Sequence, residues 1–101
     1  MTKKIGTYQY MAPEVINSNK YSEKADVYSY GIILWEIAAR EAPYKHLKGH
    51  KVSIEVTSKN LRPKIPQNCP ENFARLMKKC WNVSPFKRPS FRDIIRELSH
   101  R

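Results

Sequence analysis

The 101-residue sequence predicts a mainly α-helical fold of about four to five helices. The first observation is a long apolar run from Val27 to Ala39, which follows a residue suited to cap a helix, Ser22. The second is a pair of later stretches that repeat apolar residues at helical spacing, one ending at Trp81 and the other at Leu98. The third is that prolines fall between these stretches and mark the loops.

Residues 22–40 are predicted to form the central helix. Ser22 suits the N-cap position, and Glu23 and Asp26 place negative charge in the first turn, where the helix dipole favours it. Beyond that turn the segment is apolar on every side, which predicts a helix enclosed by other structure. It is too short, and too interrupted by Asp26 and Glu36, to span a membrane.

A weaker helix is predicted over residues 46–58, after Pro43 ends the central one. Val52, Ile54 and Val56 alternate with period two, so a short strand is the alternative for this segment. Residues 61–66 must be extended because two prolines fix the backbone and remove donors.

Two further helices are predicted near the end of the chain. Pro70 suits the first position of one, whose buried stripe is predicted to be Phe73, Leu76, Met77, Cys80 and Trp81. Ser90 begins the last helix, with Asp93 three residues on in an arrangement similar to a capping box. The stripe of that helix is predicted to be Phe91, Ile94, Ile95 and Leu98.

The chain carries a net charge of +10, from 19 basic and nine acidic residues. This charge favours acidic partners, but it is dispersed in small groups, which is typical of a solvated surface and argues against a nucleic-acid site. Cys69 and Cys80 lack C-x-x-C spacing and are expected to be reduced thiols in a cytoplasmic protein. No signal peptide is visible. His46 and His50 have no third ligand nearby, so no metal site is predicted.

Five motifs follow one another along the chain. They are G-T-Y-Q-Y-M-A-P-E from Gly6, D-V-Y-S-Y-G-I-I-L-W-E-I from Asp26, L-R-P-K-I-P from Leu61, C-W at Cys80 and P-F-K-R-P-S-F from Pro85. In this order they resemble the C-terminal part of the large lobe of a protein kinase. The chain is similar to tyrosine-kinase-like serine/threonine kinases of the Raf-like and mixed-lineage type. The resemblance implies that residues 1–101 are a partial kinase domain, a helical subdomain without the N-terminal β lobe.

That family transfers the γ-phosphate of ATP to protein Ser or Thr. This sequence has no Gly-rich phosphate loop, no V-A-I-K lysine, no H-R-D loop and no D-F-G metal ligand. We therefore expect no catalytic residue and no bound cofactor in this chain, with ATP and Mg²⁺ belonging to the complete domain. The chain alone is expected to be inactive. One alternative is a non-catalytic interaction module, a truncated kinase that binds a protein partner, and another is a basic polyanion binder.

The resemblance also assigns a substrate-positioning loop to Thr7, Tyr8, Gln9, Tyr10 and Met11. Thr7 matches the threonine that reaches the catalytic aspartate and lysine, which favours Ser/Thr specificity. Tyr10 and Met11 could equally be plain core contacts. Thr2 and Thr7 are candidate phosphorylation sites, since an added phosphate could order the loop.

Glu14 and Arg88 match the ion pair that fastens the activation segment to the lower lobe, and we expect this pair to be buried rather than a rim contact. Asp26 matches the helix aspartate that accepts hydrogen bonds from the catalytic loop; the alternative role is a first-turn charge.

The partners implied are a protein substrate or a partner kinase, without membrane association. Because the catalytic loop is missing, Ile32, Leu34 and Trp35 are expected to lose part of their cover. An uncovered apolar surface of this kind predicts self-association or aggregation.

Overall fold

A computed structural model describes residues 8–99, and over this range the chain forms five α-helices, two 3-10 turns and no strand. The mainly helical prediction is confirmed. None of the helices within this range has the length and apolar character required to cross a membrane. The helices are α1 (Pro13–Ser18), α2 (Glu23–Ala39), α3 (Gly49–Ser58), α4 (Glu71–Cys80) and α5 (Phe91–Ser99), with 3-10 turns at Tyr8–Tyr10 and Pro85–Lys87.

Helix α2 is the axis of the fold and packs mainly on α4. Its start is fixed by Ser22, whose Oγ accepts a hydrogen bond from the Ala25 N–H at 3.4 Å. Gly31 lies where α2 meets α4, and a Cβ built there would come within 2.7 Å of the Cys80 Cβ. The absence of a side chain at Gly31 therefore allows the two helices to approach closely.

One side of α2 is open, so the predicted enclosure on every side is wrong for the described residues. Ile33 is 44% exposed and Ile37 is 68% exposed, and their i,i+4 spacing places them on the same face. By contrast, Ile32 and Trp35 are buried, at 0% and 6% exposure. The expected loss of cover at Ile32 and Trp35 is therefore also wrong, because these side chains pack within the core that the described residues form.

Residues 49–58 are helical, which decides between the helix and the strand alternatives. Val52 and Val56 are buried and Ile54 is 53% exposed, a pattern with helical rather than two-residue period. The helix begins three residues later than predicted, since residues 43–46 form a turn in which Tyr44 takes a left-handed backbone conformation (φ 53°).

Helix α4 begins at Glu71, and Pro70 occupies the N-cap position rather than the first helical one. The residues of its predicted stripe face the interior: Leu76, Met77, Cys80 and Trp81 are buried, and Phe73 is partly buried against them.

Helix α5 begins with the predicted capping arrangement. The Asp93 N–H donates to Ser90 Oγ at 3.1 Å, and the Ser90 N–H donates to Asp93 Oδ2 at 3.5 Å. Ile94 is buried, but Ile95 is 65% exposed. The inclusion of Ile95 in the buried stripe is therefore wrong, because the next residue along a helix turns about 100° away from its neighbour.

Candidate functional site

Glu14 and Arg88 are joined by two parallel hydrogen bonds. Arg88 Nη2 donates to Glu14 Oε1 at 2.9 Å, and Arg88 Nη1 donates to Glu14 Oε2 at 2.8 Å. The Arg88 side chain is completely buried, and the Glu14 side chain is 16% exposed. This geometry matches the flat guanidinium to the flat carboxylate, which gives a charge-assisted pair both strength and direction.

The other donors of Arg88 bind main-chain carbonyls. Arg88 Nε donates to the Asn82 carbonyl at 2.8 Å, and Nη1 also donates to the Lys24 carbonyl at 2.9 Å. In the opposite direction, Lys24 Nζ donates a hydrogen bond to the Arg88 carbonyl at 2.7 Å. One side chain thus connects α1, the start of α2 and the loop that precedes α5.

Tyr28 is in contact with two guanidinium groups. The Arg62 and Arg88 Cζ atoms are each 5.1 Å from the centroid of its ring, within range for a cation–π interaction. Burial raises the pKa of Tyr28 to about 12, although the two guanidinium charges act in the opposite direction. The phenol therefore stays neutral at physiological pH. The sequence analysis assigns no role to Arg62 of the L-R-P motif; its contact with Tyr28 becomes visible only in the fold.

The Tyr8–Tyr10 turn is fastened to α2 through Tyr10. Tyr10 Oη donates to Glu36 Oε1 at 3.0 Å, and Ser29 Oγ donates to the Tyr10 carbonyl at 2.6 Å. Burial raises the pKa of Tyr10, and the Glu36 carboxylate adds to this shift. Glu36 was not among the site residues expected from the sequence, since no local pattern signals a partner 26 positions away.

The two neighbours of Tyr10 differ in their contacts. Met11 is buried, and its N–H donates to the Tyr8 carbonyl at 3.2 Å. Gln9 Oε1 is buried and has no hydrogen-bond partner within residues 8–99. Thr2 and Thr7, the candidate phosphorylation sites, lie outside the described residues.

Asp26 is exposed in the first turn of α2. It lines a shallow pocket of about 450 Å³ together with Met11 and Ser29. A carboxylate at the edge of such a pocket can accept N–H groups from a neighbouring backbone. In the part of the chain that is described, no three His, Cys, Asp or Glu side chains come together as metal ligands.

Known proteins resemble this chain along nearly its whole length. A family model described as protein tyrosine and serine/threonine kinase matches residues 1–98. A probable LIM domain-containing serine/threonine-protein kinase of Dictyostelium discoideum is 46% identical over 98 residues, which cover 97% of this chain and 10% of that protein. The serine/threonine-protein kinase STY17 of Arabidopsis thaliana is 44% identical over 99 residues, which cover 98% of this chain and 17% of that protein. The chain therefore spans less than a fifth of the length of these two relatives.

Proposed function

The chain belongs to the protein tyrosine and serine/threonine kinase family, and we propose that it forms the C-terminal part of the large lobe of a tyrosine-kinase-like serine/threonine kinase, Raf-like or mixed-lineage-like. The observation that carries this proposal is the bidentate pair between Glu14 and Arg88, 74 positions apart. It joins the A-P-E segment to the R-P-S segment, which is the pairing that the resemblance implies. Residues 1–101 are then a partial kinase domain.

In the complete enzyme, the γ-phosphate of ATP is transferred to Ser or Thr of a protein substrate. The residues of this chain do not fit ATP or Mg²⁺, because the sequence has neither a phosphate loop nor a metal-binding D-F-G motif. The chain contributes instead to the peptide side of the site. No step of the nucleotide chemistry is assigned to its residues.

Residues 7–11 are proposed to hold the substrate peptide beside the acceptor residue. Two bonds support this role, because Ser29 and Glu36 fix Tyr10 on the rigid helix α2. A site on such a support is better ordered than one on a free loop. Thr7 of the same segment is assigned the Ser/Thr preference.

The open face of α2 is proposed to receive the catalytic loop of the complete domain. Asp26, Ile33 and Ile37 share this face, since their spacings of seven and four residues correspond to whole helical turns. Asp26 supplies an acceptor for backbone N–H groups, and the two isoleucines supply apolar area. The exposure of the isoleucines also favours the second candidate function, a non-catalytic module that binds a protein partner.

The purified chain tests the assignment of roles directly. Incubated with ATP, Mg²⁺ and a generic basic protein, it should transfer no phosphate, because the groups that neutralise phosphate charge are not encoded in it. Phosphate transfer by the chain alone would contradict the proposal. To distinguish the kinase-domain part from the non-catalytic module, the chain replaces the matching segment of a complete kinase. Only a chain that is part of a catalytic domain should then support phosphate transfer.

A further inference from the structure

A groove of about 840 Å³ runs between the C-terminal end of α2 and the extended segment 61–67. Its lining includes Trp35 and Tyr44, together with Pro63 and Pro66 of the segment. Its basic residues come from both walls. They are Lys45, His46, Arg62 and Lys64.

The wall formed by residues 61–67 is held in place by side chains from the rest of the fold. Trp35 Nε1 donates to the Lys64 carbonyl at 2.7 Å, and Tyr44 Oη donates to the Leu61 carbonyl at 3.4 Å. Pro63 and Pro66 restrict the backbone of the same segment. The groove is therefore preorganised, and a ligand need not order it.

The carboxylate that lines the groove is paired with a lysine. Glu41 is the acidic residue in its lining, and the Glu41 Oε1 lies 2.6 Å from Lys45 Nζ. In the described range, neither Arg62 nor Lys64 has an ion pair with a carboxylate. Among the described residues, the groove thus presents the charges of Arg62 and Lys64 without a carboxylate partner.

Arg62 is held in a fixed position in the wall formed by residues 61–67. Its Nε donates to the Trp81 carbonyl at 2.9 Å and its Nη1 to the Leu61 carbonyl at 2.8 Å, whereas its Nη2 is buried and has no partner within residues 8–99. Arg88, the other guanidinium on the Tyr28 ring, is neutralised by Glu14. A partly buried cation without a counter-ion favours an approaching anion more than a fully hydrated one does.

We propose that this groove binds an acidic, extended segment of a protein partner, whose carboxylates approach the exposed Lys64 in the positive field of Arg62 while its aliphatic side chains lie on Ile65 and Pro66. The ligand is expected to carry negative charge, because the groove presents the positive charges of Arg62 and Lys64. The lining favours a peptide over a nucleic acid, because Trp35 and Tyr44 are only 6% and 5% exposed and leave little ring surface on which bases could stack. The inference is independent of the kinase assignment.

Binding of a labelled peptide of repeated Glu-Leu-Asp units to the full chain tests the proposal by fluorescence anisotropy. Lys64→Glu should weaken binding about fivefold, since it reverses a charge at the groove. Lys78→Glu on the exposed side of α4 makes the same change in net charge and should weaken binding less than about twofold. A matched peptide of repeated Lys-Leu-Lys units should not bind.

Equal weakening by Lys64→Glu and Lys78→Glu would overturn the proposal, because net charge alone would then explain binding. Failure of the acidic peptide to bind would also overturn it. Tighter binding of a single-stranded oligo(dT), with the same dependence on Lys64, would assign the groove to nucleic acid and reject a peptide. Arg62→Met is a second variant, accepted only where circular dichroism shows native helix content, and it should also weaken binding of the acidic peptide.

Discussion

The guanidinium of Arg88 holds both carboxylate oxygens of Glu14, at 2.8 and 2.9 Å, across 74 positions of sequence. Because its Nε also donates to the Asn82 carbonyl and its Nη1 to the Lys24 carbonyl, all three nitrogens of the group are engaged. The pair is therefore the point at which the start of the described chain is fastened to the loop before α5.

Arg88→Lys should destabilise the chain nearly as much as Arg88→Ala. A lysine ammonium cannot copy two parallel bonds to a carboxylate, and it would leave the Asn82 carbonyl without its donor. Breaking a buried pair leaves a charged survivor, so we expect a loss of about 3–5 kcal/mol in the free energy of unfolding. Denaturant titration followed by circular dichroism measures it. Arg92→Lys, at an exposed position of α5, is the control and should change stability little. An unchanged melting temperature in Arg88→Lys would refute the role of the pair.

The stability of the chain should fall at alkaline pH through Tyr28. The pKa of the folded residue is raised to about 12 from an ordinary value of 10.0, so the unfolded state loses its proton first. The contribution is therefore complete below pH 10 and is lost as the pH rises towards 12. Comparing the native chain with Tyr28→Phe isolates this residue, since Phe cannot ionise. The difference in unfolding free energy should shrink by an amount on the order of 2 kcal/mol over that range. A constant difference would show that Tyr28 does not carry the effect.

Gly31→Ala should destabilise the chain, although alanine is the better helix former. The gain in helix propensity is about 1 kcal/mol, whereas overpacking costs about 1–3 kcal/mol. The added Cβ would lie 2.7 Å from the Cys80 Cβ. Cys80→Gly removes that Cβ atom. Gly31→Ala should therefore lower the free energy of unfolding less in the Cys80→Gly background than in the native chain. Additive effects in this double-mutant cycle would show that the close approach is not limiting.

The chain should self-associate through the open face of α2. Replacing both Ile33 and Ile37 by Ser should shift sedimentation velocity profiles towards the monomer, because this change removes the apolar area of that face. Phe86→Ser is the matched control, since Phe86 is 93% exposed but lies in the Pro85–Lys87 turn rather than on α2. The idea fails if the native chain is monomeric throughout the concentration series, or if Phe86→Ser has the same effect.

Local signals in the sequence predicted the features that depend on near neighbours. The cap at Ser22 and the capping arrangement of Ser90 with Asp93 require residues only three positions apart. The buried stripe of α4 could be predicted from helical spacing, because polar residues on the opposite face indicate which side of the helix is exposed to solvent. Helix α2 has no such contrast, so its sequence could not indicate that Ile33 and Ile37 are exposed while Ile32 is buried.

Long-range features of the site were harder to derive. The pairing of Glu14 with Arg88 came from the resemblance, since no spacing rule connects residues so far apart. Glu36 and Arg62 were missed because their roles depend on which side chains the tertiary fold brings to them, Tyr10 in one case and Tyr28 in the other. The left-handed turn at Tyr44 was missed because it has no glycine to signal it.

The most direct measurement is phosphate transfer by a chimaera in which this chain replaces the matching segment of the Arabidopsis relative, with which it shares 44% identity. We predict that the chimaera phosphorylates Ser or Thr of a protein substrate and that Glu14→Ala abolishes transfer, whereas an exposed substitution such as Lys78→Ala preserves it. A well-folded chimaera that binds ATP but transfers no phosphate would contradict the assignment of this chain to the substrate side of a kinase.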